Sequence, residues 1–139
     1  MSAPHPEGLG ARMAMEQALA QAVLPGSAVD HVNAHGTGTP ANDVVEAGAI
    51  AAVLGESVPV VSTKGYTGHT LGAAGATEAV LAALSILHGF VPASLGADPL
   101  DPKVTLAIPR VAQARPVRTV MSNSFGFGGS NVCLLLGAP

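Results

Sequence analysis

The chain has 139 residues, of which 11% are charged, 48% hydrophobic and 3% aromatic, with a formal net charge of −3. Globular domains usually carry about 25% charged residues, so this composition predicts that much of the surface is covered by another polypeptide. Scattered Lys and Arg form no basic stripe for nucleic acid, and no uninterrupted apolar run approaches the roughly 18–20 residues of a membrane span. Met1 to Pro6 lacks the regions of a signal peptide, and one cysteine argues for no oxidising compartment, which makes the cytosol the expected location.

The predicted elements alternate. Glu7 to Leu24 reads as a helix with Met15, Leu19, Ala22 and Val23 on one apolar stripe, stopped by Pro25-Gly26. Val29 to Ala34 is a short strand ending at His35. Thr39 then serves as N-cap and Pro40 as first residue of a helix to about Leu54. Val58 to Thr63 is a nearly all-apolar strand of the kind covered on both faces. Leu71 to His88 is the longest helix, with a small-residue first half (Gly72 to Ala76) expected to be buried at close range. Phe90 to Arg118 is proline-punctuated and irregular, with a short strand near Val104 to Ile108. Thr119 to Ser124 and Asn131 to Leu136 are the last strands, joined by the glycine-rich Phe125 to Ser130. This order defines one α/β domain over 1–139, a mixed sheet with helices on both faces and right-handed crossovers.

The chemistry concentrates in two histidine segments, each expected at a strand end: Asn33-Ala34-His35-Gly36-Thr37-Gly38-Thr39-Pro40 and Ser62-Thr63-Lys64-Gly65-Tyr66-Thr67-Gly68-His69-Thr70. In α/β proteins, reactive groups collect where strand carboxyl ends meet helix N-termini. A lone histidine is more often a satisfied core residue, but Gly36 and Gly38 let backbone approach a ligand, and Thr37 and Thr39 add hydroxyls to the rim. Lys64 at the end of an apolar strand is costly unless paired, so a structural salt bridge competes with a site role. Asn131 is placed to tie down the glycine loop, and Phe125 reads as packing. Cys133 lies in Val132-Cys133-Leu134-Leu135-Leu136, with no glycine elbow or helix N-terminus to lower its pKa, and reads as a buried small hydrophobe. The chain has no hydrolase elbow, Walker loop, dinucleotide fingerprint or zinc-ligand spacing.

These two segments, with Asn123-Ser124-Phe125-Gly126-Phe127-Gly128-Gly129-Ser130-Asn131, resemble in order and spacing the C-terminal half of the elongating type II β-ketoacyl-[acyl-carrier-protein] synthases. The resemblance runs through nearly the whole chain. It implies a thiolase-like fold with a Cys-His-His site, in which each half has a five-stranded sheet whose first strand is central; that strand is missing here, so the sheet is expected to fold poorly alone. It also implies that His35 and His69 face the thioester carbonyl of malonyl-carrier protein and donate from Nε2 to the enolate. Lys64 would be the active-site lysine with Glu46 as its partner. Thr37 and Thr39 would bond the phosphopantetheine arm, although Thr39 competes as a helix cap. Phe127 would gate the acyl pocket between Gly126 and Gly128, where backbone amides add to an oxyanion hole. Some members hold a structural cation near the position of Glu78, but one carboxylate cannot establish a metal site, and none is expected. No resident cofactor is expected either, since the substrate arrives on the phosphopantetheine of acyl carrier protein.

The nucleophilic cysteine belongs to the other half of such an enzyme. The expected function is therefore the C-terminal portion of a synthase that performs decarboxylative Claisen condensation in fatty-acid or polyketide synthesis, inactive alone and dependent on an N-terminal half or a second subunit in a dimer. The alternatives are a non-catalytic half, decayed or like a chain-length factor, and a standalone acyl-binding module. Intact His35, Lys64 and His69 argue against decay.

Overall fold

In the computed structural model, residues 6–139 are described. Helix α1 (Leu9–Ala22) buries Ala11, Met15 and Leu19 at intervals of four residues, a single stripe of the kind that seats a helix on a sheet. It ends earlier than predicted, because Val23 turns left-handed (φ 55°) and its N–H reaches back to Ala20. Ala22 and Val23 are consequently exposed rather than part of the stripe.

Strand β1 (His31–Asn33) is followed by α2 (Pro40–Leu54), β2 (Val60–Val61) and a one-turn helix α3 (Lys64–Thr67). A 3-10 turn at Leu71–Ala73 leads into α4 (Ala74–His88). Most of Gly72 to Ala76 is exposed, and only Ala74 is buried, which corrects the close-packing expectation. The proline-rich stretch forms only a two-residue ribbon of β3 (Phe90–Val91) with β4 (Gln113–Ala114). The strand expected at Val104 to Ile108 is reduced to one parallel bridge, Pro59 to Ala107. The chain closes with β5 (Thr119–Phe125) and β6 (Asn131–Gly137).

The sheet order is β2-β1-β5-β6, with β1 parallel to both neighbours and β6 antiparallel to β5. Alternation along the strands sorts the core by face. Val32 and Met121 pack with Met15, Leu19 and Ile50 under α1 and α2. Val61 and Val120 pack with Ala82 of α4 on the other face. Truncating Ile50 or Met121, both fully buried, would remove about 2–5 kcal/mol. Leu71 to His88 is long and apolar enough to cross a bilayer by length and composition, but in this fold it packs on β5 and carries the buried, paired Glu78.

The expected central gap is not there. β1 and β5 are direct hydrogen-bonded neighbours, at His31 to Val120, Val32 to Met121 and Asn33 to Ser122. The argument that the sheet lacks its middle, and so should fold poorly alone, loses its premise. The outer edge of β2 is partly covered, since Val60 N–H donates to Ala107 at 2.9 Å. The outer edge of β6 is open among the described residues. The hairpin closes with Gly126 N–H to Ser130 at 2.8 Å and Ala138 N–H to Arg118 at 2.8 Å. In this antiparallel register the even-numbered residues of β6 face β5, and Cys133, Leu135 and Gly137 turn their N–H and C=O groups outward. A fifth strand would find unpaired backbone groups there.

Candidate active site

β1 delivers His35 just past its carboxyl end, and the chain then turns sharply at Gly36 (φ 40°). A Cβ at this position would lie 2.6 Å from the Ser62 side chain, so only glycine permits the turn. Glu46, on the inner face of α2, holds the turn from behind. Its carboxylate accepts the N–H of His35 at 2.8 Å and of Gly36 at 2.9 Å, together with the amides of Asn42 at 3.0 Å and Asn123 at 3.2 Å. Burial pushes its pKa up, and these four donors pull the other way.

Glu46 is therefore not the partner of Lys64, as the sequence reading had it. That partner is Glu78 of α4, whose carboxylate receives the Lys64 ammonium in a buried salt bridge. Lys64 begins α3 instead of ending a strand. Its Nζ also stands 3.4 Å from His35 Nδ1. An ammonium can only donate, so His35 Nδ1 is the acceptor and the ring proton is on Nε2. The His35 pKa is lowered to about 4, first by burial, then by the positive field of Lys64, with His69 acting in the same direction. The ring is held neutral.

His69 is not at a strand end; it lies in the exposed loop between α3 and the 3-10 turn. It nevertheless reaches His35, with ring centroids 5.5 Å apart and planes at 84°. Leu71 N–H donates to its Nδ1 at 3.2 Å, which again leaves the proton on Nε2. Two imidazoles, each with Nε2 free to donate, thus meet beside a buried lysine. Such a pair can stabilise developing negative charge on oxygen without surrendering a proton.

Thr37 and Thr39 bond to each other at 2.9 Å on the exposed rim. Thr39 occupies the N-cap position of α2 but makes no side-chain cap; its backbone carbonyl accepts Asn42 and Asp43 N–H instead. This removes the competing role assigned to its hydroxyl. Asn131 donates to the Gly129 carbonyl at 3.2 Å, within the glycine loop. Gly126 and Gly128 lie in that loop, Gly128 at φ 81°; the side chain of Phe127 lies outside the described structure. Cys133 is half-buried at the margin of the core, not fully buried, and burial pushes its thiol up to about 12.

Glu78 and Asn123 were missed as members of this cluster, and Phe125 packs against the core as read, beside His35. Its ring lies 5.9 Å from that of His35. Glu78 Oε2, Asn33 Nδ2 and Asn123 Oδ1 are buried without a partner. One free carboxylate oxygen is not a ligand set, and among the described residues no three His, Cys, Asp or Glu side chains stand together as a metal site.

The fold and this histidine pair define an α/β domain of the thiolase-like ketosynthase class. Residues 1–98 match the model of the β-ketoacyl synthase C-terminal domain, and the chain belongs to that family. It is 46% identical to the mitochondrial 3-oxoacyl-[acyl-carrier-protein] synthase of Arabidopsis thaliana, over 95% of this chain and 30% of that protein. A ketosynthase solved in complex with its chain length factor, from Xenorhabdus doucetiae, superposes with a TM-score of 0.85 at 45% identity, over 100% of this chain and 36% of that one. A type II polyketide ketosynthase solved with its acyl-carrier protein and bound to a hexaketide gives 0.93 at 33% identity, over 100% and 35%. The chain thus spans about a third of the length of these relatives.

Proposed function

We propose that this chain is the C-terminal portion of a β-ketoacyl-[acyl-carrier-protein] synthase and supplies the decarboxylation half of its site. The observation that carries this is the meeting of His35 and His69, with Lys64 on the inner nitrogen of His35. In the reaction, the bond from the malonyl α-carbon to its carboxylate breaks and carbon dioxide leaves. The electron pair passes into an enolate whose oxygen receives the two Nε2–H donors. The enolate carbon then attacks an acyl thioester on a cysteine supplied by the rest of the synthase, and the sulfur leaves as thiolate. Lys64 keeps His35 Nδ1 from accepting a proton from solvent, so Nε2 stays the donor.

Thr37 and Thr39, exposed at the rim, would bond the phosphopantetheine arm of acyl carrier protein, and Gly126, Phe127 and Gly128 would border the acyl group. No resident cofactor is needed for these steps, and the cytosol is the compartment we propose. The remaining portion of the enzyme has a surface to cover: Val80, Leu84 and Leu87 stand exposed on α4 at spacings of four and three, with Val132 and Leu134 on β6. An exposed apolar stripe of this kind marks an interface. A subunit like a chain-length factor would share the surface but need not retain the His35–Lys64–His69 cluster.

The test is co-expression with a complementing N-terminal portion, followed by release of carbon dioxide from malonyl-carrier protein. His35→Ala and His69→Ala should each slow release by about 10²–10³-fold, the scale of losing one oxyanion donor. Full release by both variants would reject the assignment; a complex that forms but never decarboxylates would point to the non-catalytic reading. A folded monomer that binds acyl-carrier protein without any complementing portion would favour a standalone module.

A further inference from the structure

α2, β2 and the loop between residues 94 and 108 border a half-open cavity of about 110 Å³. His35 is not among its lining residues, but Ala34 and Gly36 on either side of it are. The walls are apolar, from Ala47 and Ile50 of α2, Val60 of β2 and Leu106 of the loop. An engineered apolar cavity of about 150 Å³ accepts benzene, so this volume suits an occupant of about six non-hydrogen atoms or fewer.

The polar groups at its border narrow the chemistry further. Its two ionisable side chains, Asp43 and Glu46, are both acidic and would repel an anion. Glu46 has its four donors, and Asp43 accepts Gly38 N–H at 3.2 Å and the Asn42 amide at 3.1 Å, both on Oδ1. Ser62 Oγ donates to Gly36 at 2.7 Å. Ser94 Oγ accepts Ser62 N–H at 3.2 Å, and its own proton finds no protein acceptor among the described residues. One unused hydroxyl donor in an apolar chamber selects a ligand with one acceptor oxygen.

We infer that the cavity between α2, β2 and the 94–108 loop is an accessory site for a compact, uncharged aliphatic carbonyl compound, with its oxygen on Ser94. Gly36 lines the chamber, so occupancy registers at the turn that carries His35.

The experiment is a titration of the full chain, alone or co-purified with a complementing portion, with pentan-2-one, pentane and pentanoate, followed by amide chemical shifts. Saturable shifts at Gly36, Ala47, Ser62 and Ser94 with the ketone, and none there with pentanoate, are expected. Ser94→Ala should weaken the ketone about tenfold, the value of one hydrogen bond, and leave pentane unchanged. Ala97→Leu should fill the chamber and abolish both; Ala47→Val serves if that variant fails to fold. Absence of saturation at these amides overturns the site, as does unchanged ketone binding by a folded cavity-filling variant. Equal ketone affinity in Ser94→Ala overturns the carbonyl assignment.

Discussion

Strand β1 carries a histidine at its start and another just past its end, and the two make an instructive pair. His31 and His35 are both buried, and both are lowered to about 4. The causes differ. Burial dominates at His31, where Asp30 and Arg115 act in opposite directions. At His35, Lys64 adds positive charge to the effect of burial, and His69 acts in the same direction. The bonding differs too. His31 Nε2 meets Ser85 Oγ at 2.8 Å, and that hydroxyl donates to the Phe90 carbonyl. Ser85 must then accept from His31, which places the ring proton on Nε2 and leaves Nδ1 buried without a partner. His31 is a staple between β1, α4 and β3. His35 spends only Nδ1 on the fold and keeps an unassigned donor beside a second imidazole. Burial and a shifted pKa are common to both ends; what separates them is a donor left over for something else.

The largest expected effect is at the His35 end. Lys64→Met leaves Glu78 buried and unpaired, and should cost about 3–5 kcal/mol in urea unfolding. Adding Glu78→Leu to that variant should restore most of the loss. If Lys64→Met costs no more than a surface substitution, the ion pair is not what organises this end. The His31 end is read by pH. Between the unfolded value of 6.5 and the folded value of about 4, the unfolded chain binds protons that the fold refuses. Stability is therefore complete above pH 6.5 and falls as pH drops through this window. Glu46, raised in the fold, slopes the opposite way, so the informative quantity is the difference between variants. His31→Phe should flatten the acid slope by on the order of 3 kcal/mol, at about 1.4 kcal/mol per pKa unit. An unchanged slope would show that His31 is protonated in the fold. Ser85→Ala, which strands His31 Nε2 and the Phe90 carbonyl, should cost about 1–3 kcal/mol by the same measurement.

The same strand shows what was legible in the sequence. Apolar runs, Pro40 at a helix start and the glycine loop located α1, α2, α4, β5 and β6, because local periodicity and chain-breaking residues express themselves locally. The two histidine segments stood out for the same reason, and the structure does bring His35, His69 and Lys64 together. Pairings between elements were not legible. Glu46 and Glu78 are both carboxylates on helix faces, 11 and 14 residues after the groups they serve, and nothing in their spacing says which one faces Lys64. Strand order was equally hidden: the missing strand was placed at the centre, whereas the β1–β5 ladder is continuous there. A shielded edge and an open one look alike in a list of apolar residues.

Cys133 supplies the smallest effect and the sharpest control on the comparison. It is the only cysteine, so any thiol chemistry by this chain alone would fall to it. Its thiol is pushed up to about 12, first by burial and then by the negative charge of Glu46. A free cysteine titrates near 8.5; at pH 8 the native chain should therefore hold roughly a thousandfold less thiolate than an unhindered one. Iodoacetamide should label Cys133 slowly in the folded chain and rapidly in urea. Cys133→Ala should cost about 1 kcal/mol or less and leave decarboxylation by the reconstituted enzyme unchanged. Fast native labelling, or loss of decarboxylation in a stable Cys133→Ala complex, would move the chemistry from the strand ends near His35 to the outer strand β6.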